Sequence, residues 1–367
     1  MHSGLLIKVV SLAVAAGAIV LLARVSFEHP HVNDFRSFYA GATAASEHRL
    51  AGLYRDERTS RAPLELPFIR PPVYALLLEP LTYLAFAPAF WLWIALQSAI
   101  FLGCLYWAYS KTAMAAVACL FPPALLGIGH AQDCATYLAI LIASYALFRK
   151  GRELPAGLVL GLGLLKFHLF LLWPVALILQ KRWRALLGYC LTGAALVAGS
   201  VAAVGAKGIM DYCSLLADPG VAESTPGRAR EVGIGSLLAN LSVSSAALAI
   251  LLGMAVAAVA LCAVRRASIE WLFVILPAAS LAAMPHALYY DPTMLLLSIW
   301  IALSLPATRL LHSVAMVLAS PFVFSAVLLP PPWSIGSGVG VLFFLLTAVA
   351  TVPRLGASPH SAADSRQ

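Results

Sequence analysis

Long apolar runs separated by short polar ones dominate the chain, and their lengths decide what it is. Such runs occupy residues 4–24, 88–109, 112–129, 134–148, 185–205, 246–264, 269–284, 293–306, 310–329 and 338–353. Many approach the roughly 20 residues an α-helix needs to cross a hydrocarbon core of about 30 Å. None shows the alternation of a membrane β-barrel strand. The pattern predicts an all-α, polytopic transmembrane helical bundle of about 10–13 membrane segments. The first run reads as a span; the alternative is a cleaved leader, with Ala23-Arg24-Val25 a poor cleavage sequence.

Two runs do not fit a single crossing. Residues 72–86 are short and interrupted by Glu79-Pro80, so they read as a half-span or a surface helix. Residues 153–180 are flanked at both ends by basic clusters. They predict a re-entrant hairpin broken at Lys166-Phe167-His168, with arms of about 12 residues, or roughly 18 Å, too short to cross.

Charge then sets orientation. Lys and Arg gather at Lys111, at Arg149-Lys150-Gly151-Arg152, at Lys181-Arg182-Trp183-Arg184, at Arg265-Arg266, at Arg309 and at Arg354. Basic loops stay on the cytoplasmic side. Counting spans from these clusters puts two loops on the extracytoplasmic face, 25–70 and 206–235. Within the first, Ser37–Tyr54 predicts an amphipathic helix, with Phe38, Ala42, Ala45 and Leu53 toward lipid and Glu47, His48 and Arg49 toward water. Phe35, Phe38 and Tyr39 read as membrane anchors. Residues 1–353 form one polytopic membrane domain, and 354–367 read as a disordered cytoplasmic tail.

Composition agrees: 61% of residues are hydrophobic and 11% charged, against about 25% charged in soluble domains. The net charge of +8 therefore concerns membrane orientation and is no sign of nucleic acid. The six cysteines are scattered, with no CxxC and no Cys/His zinc spacing, so neither a disulfide framework nor a metal site is expected. Walker, GxSxG, HExxH and Asp-x-Asp motifs are absent from the sequence.

The candidate chemistry lies on the face assigned as extracytoplasmic. Asp34 reads either as a general base taking a proton from an incoming hydroxyl or as the N-cap of the following helix; Arg36 follows two residues on. Lys166 and His168 at the hairpin break suit an anion such as a phosphate, unless Lys166 snorkels or pairs with a buried acid such as Asp133. His286, Tyr290 and Asp291 end a span, either as site residues or as an aromatic belt with a capping acid. His130, Gln132 and Asp133 form a polar turn between spans. Arg70, before Pro71-Pro72, reads as an anion contact or as an ordinary surface arginine.

Several of these pieces resemble glycosyltransferase family 87, integral-membrane enzymes of the GT-C class that include polyprenyl-phosphate-mannose-dependent alpha-mannosyltransferases. The resemblance runs through Asp34-Phe35 with Phe38-Tyr39 and Gly41, Leu50-Ala51-Gly52-Leu53-Tyr54, and Pro71-Pro72-Val73-Tyr74 leading to Glu79-Pro80-Leu81. It continues in Phe121-Pro122-Pro123-Ala124-Leu125-Leu126-Gly127 with Gln132, and in Arg149-Lys150-Gly151-Arg152 followed by Ala156-Gly157 and Gly161. Lys166 with His168, Arg182-Trp183-Arg184-Ala185, and His286 with Tyr290-Asp291 complete it. The pieces cover roughly residues 30–300, and their order along one chain is more specific than any one of them. Two positions depart from the family: Lys166-Phe167 stands where it has Lys-Pro, and Gly129-His130-Ala131-Gln132 where it has Gly-Gln.

The resemblance implies a GT-C-like bundle in the inner or plasma membrane that transfers a sugar, most simply mannose, with inversion. The donor would be a polyprenyl-phosphate sugar and the acceptor a lipid-linked or glycan hydroxyl, at the extracytoplasmic face. Asp34 would be the base and His286 a contact to the donor phosphate, with Lys166 and Arg70 as further phosphate contacts. Arg36, His168, Gln132, Asp133, Tyr290 and Asp291 would line the rest of the site, with no metal or other cofactor. The competing reading is a secondary transporter or flippase, whose interrupted helices also hold buried charges. Against it, the sequence shows no second copy of the Asp34 loop or of the Lys166 hairpin.

Overall fold

A computed structural model describes residues 2–29, 33–55, 67–109, 114–218, 231–243, 245–284, 287–329 and 333–353. His286, Lys111 and the tail 354–367 lie outside the described residues, as do the polar stretches 56–66 and 219–230. The chain is an all-helical, polytopic bundle, with no strand among the described residues. In order the helices are α1 (His2–Glu28), α2 (Phe35–Ser46), α3 (Pro72–Leu78), α4 (Phe86–Tyr109), α5 (Met114–Cys119), α6 (Pro122–Gly129), α7 (Cys134–Arg149) and α8 (Glu153–Gly161). Then come α9 (Leu172–Leu179), α10 (Trp183–Ala217), α11 (Ile234–Asn240), α12 (Ala246–Val264), α13 (Ile269–Ala283), α14 (Leu295–Ser304), α15 (Arg309–Ala319), α16 (Pro321–Ser325) and α17 (Gly336–Thr351). Among the described residues, five stretches are long and apolar enough to cross a membrane: Leu6–Glu28, Phe86–Tyr109, Trp183–Ala217, Ala246–Val264 and Trp333–Thr351.

The centre of the bundle is α13. Every residue from Trp271 to Ala282 is buried, as expected of a helix that is apolar all round and walled in by others. Helices α7, α12, α14 and α17 pack around it.

Polar contacts at the helix ends sort the bundle into two ends. At one, Arg149 pairs with Glu270 at 3.1 Å and Arg182 with Glu153 at 2.7 Å. Gln180 Nε2 donates there to the Val264 carbonyl at 2.7 Å. The basic termini of α7, α9, α10 and α12 are thus gathered together, as the charge pattern expects. At the other end lie Asp34, Arg70, Asp133 and Asp291.

The hairpin is the clearest consequence. Arg182 and Glu153 tie its two ends together at the basic end. Helix α8 enters against the first half of α10, so closely that a Cβ on Gly157 would sit 1.9 Å from the Ala185 carbonyl oxygen. The 3₁₀ stretch Leu162–Leu169 carries the chain on until Lys166 (φ −128°, ψ 59°) breaks it. Tyr189 of α10 donates to the Phe170 carbonyl at 2.9 Å, and α9 returns. By helix rise, Lys166 lies roughly 20 Å from the basic end.

Some elements differ from what the sequence pattern predicts. The helix expected over Ser37–Tyr54 stops at Ser46, and a separate 3₁₀ turn covers Leu50–Gly52. Its apolar face meets protein, not lipid: Phe38, Ala42, Ala45 and Leu53 are all buried. Phe35 and Tyr39 pack on Phe86, at 5.8 and 5.4 Å between ring centres, and are not membrane anchors. The apolar moment that would suit a bilayer suits α3 and α4 equally well. The run 112–129 divides at Pro122-Pro123 into α5 and α6, because a proline within a helix removes a hydrogen bond and clashes with the preceding turn. Most of the first part of the predicted loop 206–235 is helix: α10 continues to Ala217 through a turn at Gly205 (φ 69°), which no side chain would tolerate easily. Residues 72–83 form α3 and a 3₁₀ turn, together too short to cross.

Candidate active site

The site is built where the start of α2 meets the turn before α7. Trp93 of α4 joins the two. Its ring centre lies 6.0 Å from that of Phe35 and 6.2 Å from that of Phe38, and its Nε1 donates to the Ala131 carbonyl at 2.9 Å. Asp34 therefore opens α2 close to Gln132 and Asp133. It occupies the N-cap position, yet its carboxylate makes no capping hydrogen bond.

Asp133 precedes α7 and holds Arg70. Arg70 Nη2 donates to Asp133 Oδ1 at 2.7 Å, and both side chains are buried. The hydroxyls of Tyr74 and Tyr137 donate to Asp133 Oδ2 at 2.9 and 3.1 Å. Arg70 Nη1 reaches the Tyr137 hydroxyl at 3.4 Å, and its guanidinium lies 5.4 Å from the centre of Phe38. The backbone beneath is fixed as well: Tyr54 donates to the Arg70 carbonyl at 2.6 Å and Tyr212 to that of Ile69 at 3.4 Å. Arg70 is thus no ordinary surface arginine.

Lys166 at the hairpin break forms a second buried ion pair, with Asp291 Oδ1. The Leu288 N–H donates to Asp291 Oδ2 at 2.9 Å. The ammonium lies 4.8 Å from the centre of Tyr290 and 5.8 Å from that of Tyr137. Since Arg70 lies 5.9 Å from the same Tyr137 ring, that tyrosine sets the two pairs side by side. Of the acids the sequence offers, Lys166 takes Asp291 and leaves Asp133 to Arg70.

Asp34 lies close enough to both pairs to feel their charges. Burial lifts its carboxyl from 3.8 to about 7; the charges of Arg70 and Lys166 pull it down and those of Asp133 and Asp291 push it up. The two ion pairs each cancel, so Asp34 decides the net charge of the site. Nearby, His130 Nδ1 and the Tyr289 hydroxyl are hydrogen-bonded at 2.6 Å, and burial lowers the imidazole to about 4.

The remaining sequence candidates are placed as follows. His286 lies outside the described residues; next to it in sequence, the Ala287 carbonyl accepts the Val232 N–H at 2.7 Å. Among the described residues Arg36 makes no ion pair with either couple; its guanidinium lies 5.0 Å from the centre of Phe86. His168 meets Phe167 edge-on at 5.8 Å. Gln132 is buried, and its Oε1 has no hydrogen-bond partner among the described residues.

The sequence reading passed over Asn33, Tyr74 and Tyr137. Tyr137 was within reach of it, because positions i and i+4 share a helix face and 137 follows 133 by four. Tyr74 stood inside the Pro71-Pro72-Val73-Tyr74 motif without being given a role. Among the described residues no group of three His, Cys, Asp or Glu side chains is arranged to hold a metal ion. A separate cleft of about 400 Å³, lined by Ala45, His48, Leu50, Leu76, Glu79 and Ala203, lies at the far end of α2 from Asp34.

Comparison with known proteins returned one family. Neither the curated proteins nor the solved structures gave a match. The matched stretch, residues 68–288, takes in Arg70, Asp133, Lys166 and His286 and begins after Asp34. It covers more than half of this multi-pass chain, which therefore belongs to glycosyltransferase family 87 and is a membrane glycosyltransferase.

Proposed function

We propose that the enzyme transfers a sugar, most simply mannose, from a polyprenyl-phosphate donor to a hydroxyl of a lipid-linked or glycan acceptor, with inversion, at the extracytoplasmic face. The observation that carries this reading is Asp34, a carboxylate free of capping duty beside two buried cations and with its pKa raised to about 7. A general base works best with a pKa near the operating pH.

In the proposed reaction the acceptor oxygen attacks the anomeric carbon from the face opposite the phosphate. Its proton passes to Asp34 as the new glycosidic bond forms. The bond from the anomeric carbon to the phosphate oxygen breaks, and its electron pair leaves with the polyprenyl phosphate. A phosphate is a weak base and needs little help from an acid, which fits a site with one acting carboxylate.

His286, with the N–H groups that Arg70 and Lys166 have left after meeting Asp133 and Asp291, would hold the phosphate and offset the charge it gains. Asp133 and Asp291 keep those cations in place. Gln132, Tyr290 and His168 complete the surroundings, and Arg36, against Phe86, would reach the substrate only at its edge. The transfer needs no metal.

The test is transfer from a synthetic polyprenyl-phosphate mannose by the purified enzyme, run with and without a chelator. Asp34→Asn keeps the shape of the side chain and is expected to lower the rate by about 10²–10⁴-fold. Near-wild-type transfer by that variant overturns the role of Asp34. Activity that a chelator removes overturns the metal-free reaction.

A further inference from the structure

Two buried carboxamides stand at the Asp34 corner with polar atoms left over. Asn33 is wholly buried, and neither its Oδ1 nor its Nδ2 has a hydrogen-bond partner among the described residues. Gln132 is 2% exposed, and its Oε1 is in the same position. Burying such groups without partners disfavours folding, and an apolar side chain of the same shape does as well or better there. Stability therefore gives no reason to keep an amide at Asn33.

Position supplies one. Asn33 directly precedes Asp34, and its carbonyl accepts the Arg36 N–H at 3.1 Å, which holds it at the first turn of α2. Gln132 directly precedes Asp133. Trp93 binds these two short segments to each other through Phe35 and Ala131. Both amides thus sit next in sequence to Asp34 and Asp133, at the corner where Asp34 would meet its hydroxyl. A carboxamide donates from nitrogen and accepts at oxygen within one plane. That pairing matches two adjacent hydroxyls of a sugar ring, where one accepts and the next donates.

We propose that Asn33 is a sugar-recognising residue whose carboxamide pairs with adjacent ring hydroxyls of the transferred sugar, with Gln132 Oε1 accepting from a further hydroxyl. The assignment rests on the glycosyl-transfer reading above. It places sugar specificity beside the base, at the first turn of α2. Sites built to bond a hydroxyl discriminate strongly against analogues that lack it.

The experiment compares wild type with Asn33→Leu in two measurements. One is thermal unfolding of the purified protein. The other is transfer from polyprenyl-phosphate mannose and from its four monodeoxy analogues, which lack in turn the 2-, 3-, 4- or 6-hydroxyl. Asn33→Leu is expected to unfold at the wild-type temperature or above it. Its transfer from the full donor is expected to fall on the order of tenfold to a hundredfold. One or two adjacent deoxy donors should be poor for wild type and yet no worse than the full donor for the variant.

Wild-type rates in Asn33→Leu overturn the assignment. A clear drop in its unfolding temperature also overturns it, since the amide would then be serving the fold. Equal penalties from every deoxy donor in both proteins do the same. Failure of wild type to use any of these donors instead overturns the donor reading, and this assignment with it.

Discussion

At Asp34, burial and charge pull in opposite directions, and burial wins. The carboxyl moves from 3.8 to about 7 although two cations favour its ionised form. A base must be ionised to act, so transfer should rise with pH and level off above about pH 7, with the rate at pH 6 near a tenth of the plateau. An unshifted aspartate would give a flat profile over that range, and a flat measured profile would remove Asp34 from the role. The sequence supplied this residue, its neighbours and both of its possible roles. It did not supply the choice between them, because the cap position and the capping bond are separate matters: Asp34 takes the first without making the second. Nor did it pair the cations. Arg70 meets Asp133 and Lys166 meets Asp291 across 63 and 125 residues of chain, distances over which no periodicity speaks.

Among the elements, the hairpin was the most legible, since two basic clusters could share a side only if the chain turned back between them. What the sequence concealed is how the hairpin is held. Gly157 touches the backbone of Ala185, and a Cβ on Gly188 would come 2.3 Å from the Leu154 carbonyl oxygen. Glycine here allows close approach, and a side chain has nowhere to go. Gly157→Ala should cost about 1–3 kcal/mol of stability through overpacking and lower transfer by shifting Lys166. Gly17→Ala, which meets nothing within 4 Å, serves as the control in the same unfolding and transfer assays. Equal behaviour of the two variants would mean that the hairpin is not seated by this contact. Helix α2 shows the opposite case. Its apolar face was visible in the sequence, but whether lipid or protein covers such a face is decided by partners distant in the chain, here Tyr74, Phe86 and Trp93.

For the whole molecule, the arrangement of ends is the main result. Arg149, Arg182 and Gln180 mark one end, and Asp34, Asp133 and Asp291 lie toward the other. Basic residues favour the cytoplasmic side, so single cysteines placed at Arg152 and at Glu47, both exposed, should react from opposite faces of a sealed vesicle. The six native cysteines would first be replaced. Labelling of both positions from one face would contradict the proposed placement of the site. Counting apolar runs served well at this scale because the bilayer imposes a length on every helix. It failed where prolines or Gly205 subdivide or extend a run, as in α5–α6 and α10.

The self-cancelling pairs Arg70–Asp133 and Lys166–Asp291 bear on how substrate arrives. A site with unpaired cations would draw anions in from a distance and lose that pull as salt is added. Here both cations are neutralised and the one charge left over is that of Asp34, so the proposed phosphate-bearing donor gains no long-range pull from the site and is expected to reach it by lateral diffusion in the bilayer. Transfer by enzyme in vesicles should therefore depend on the surface density of donor in the membrane and stay nearly constant from about 0.05 to 0.5 M salt.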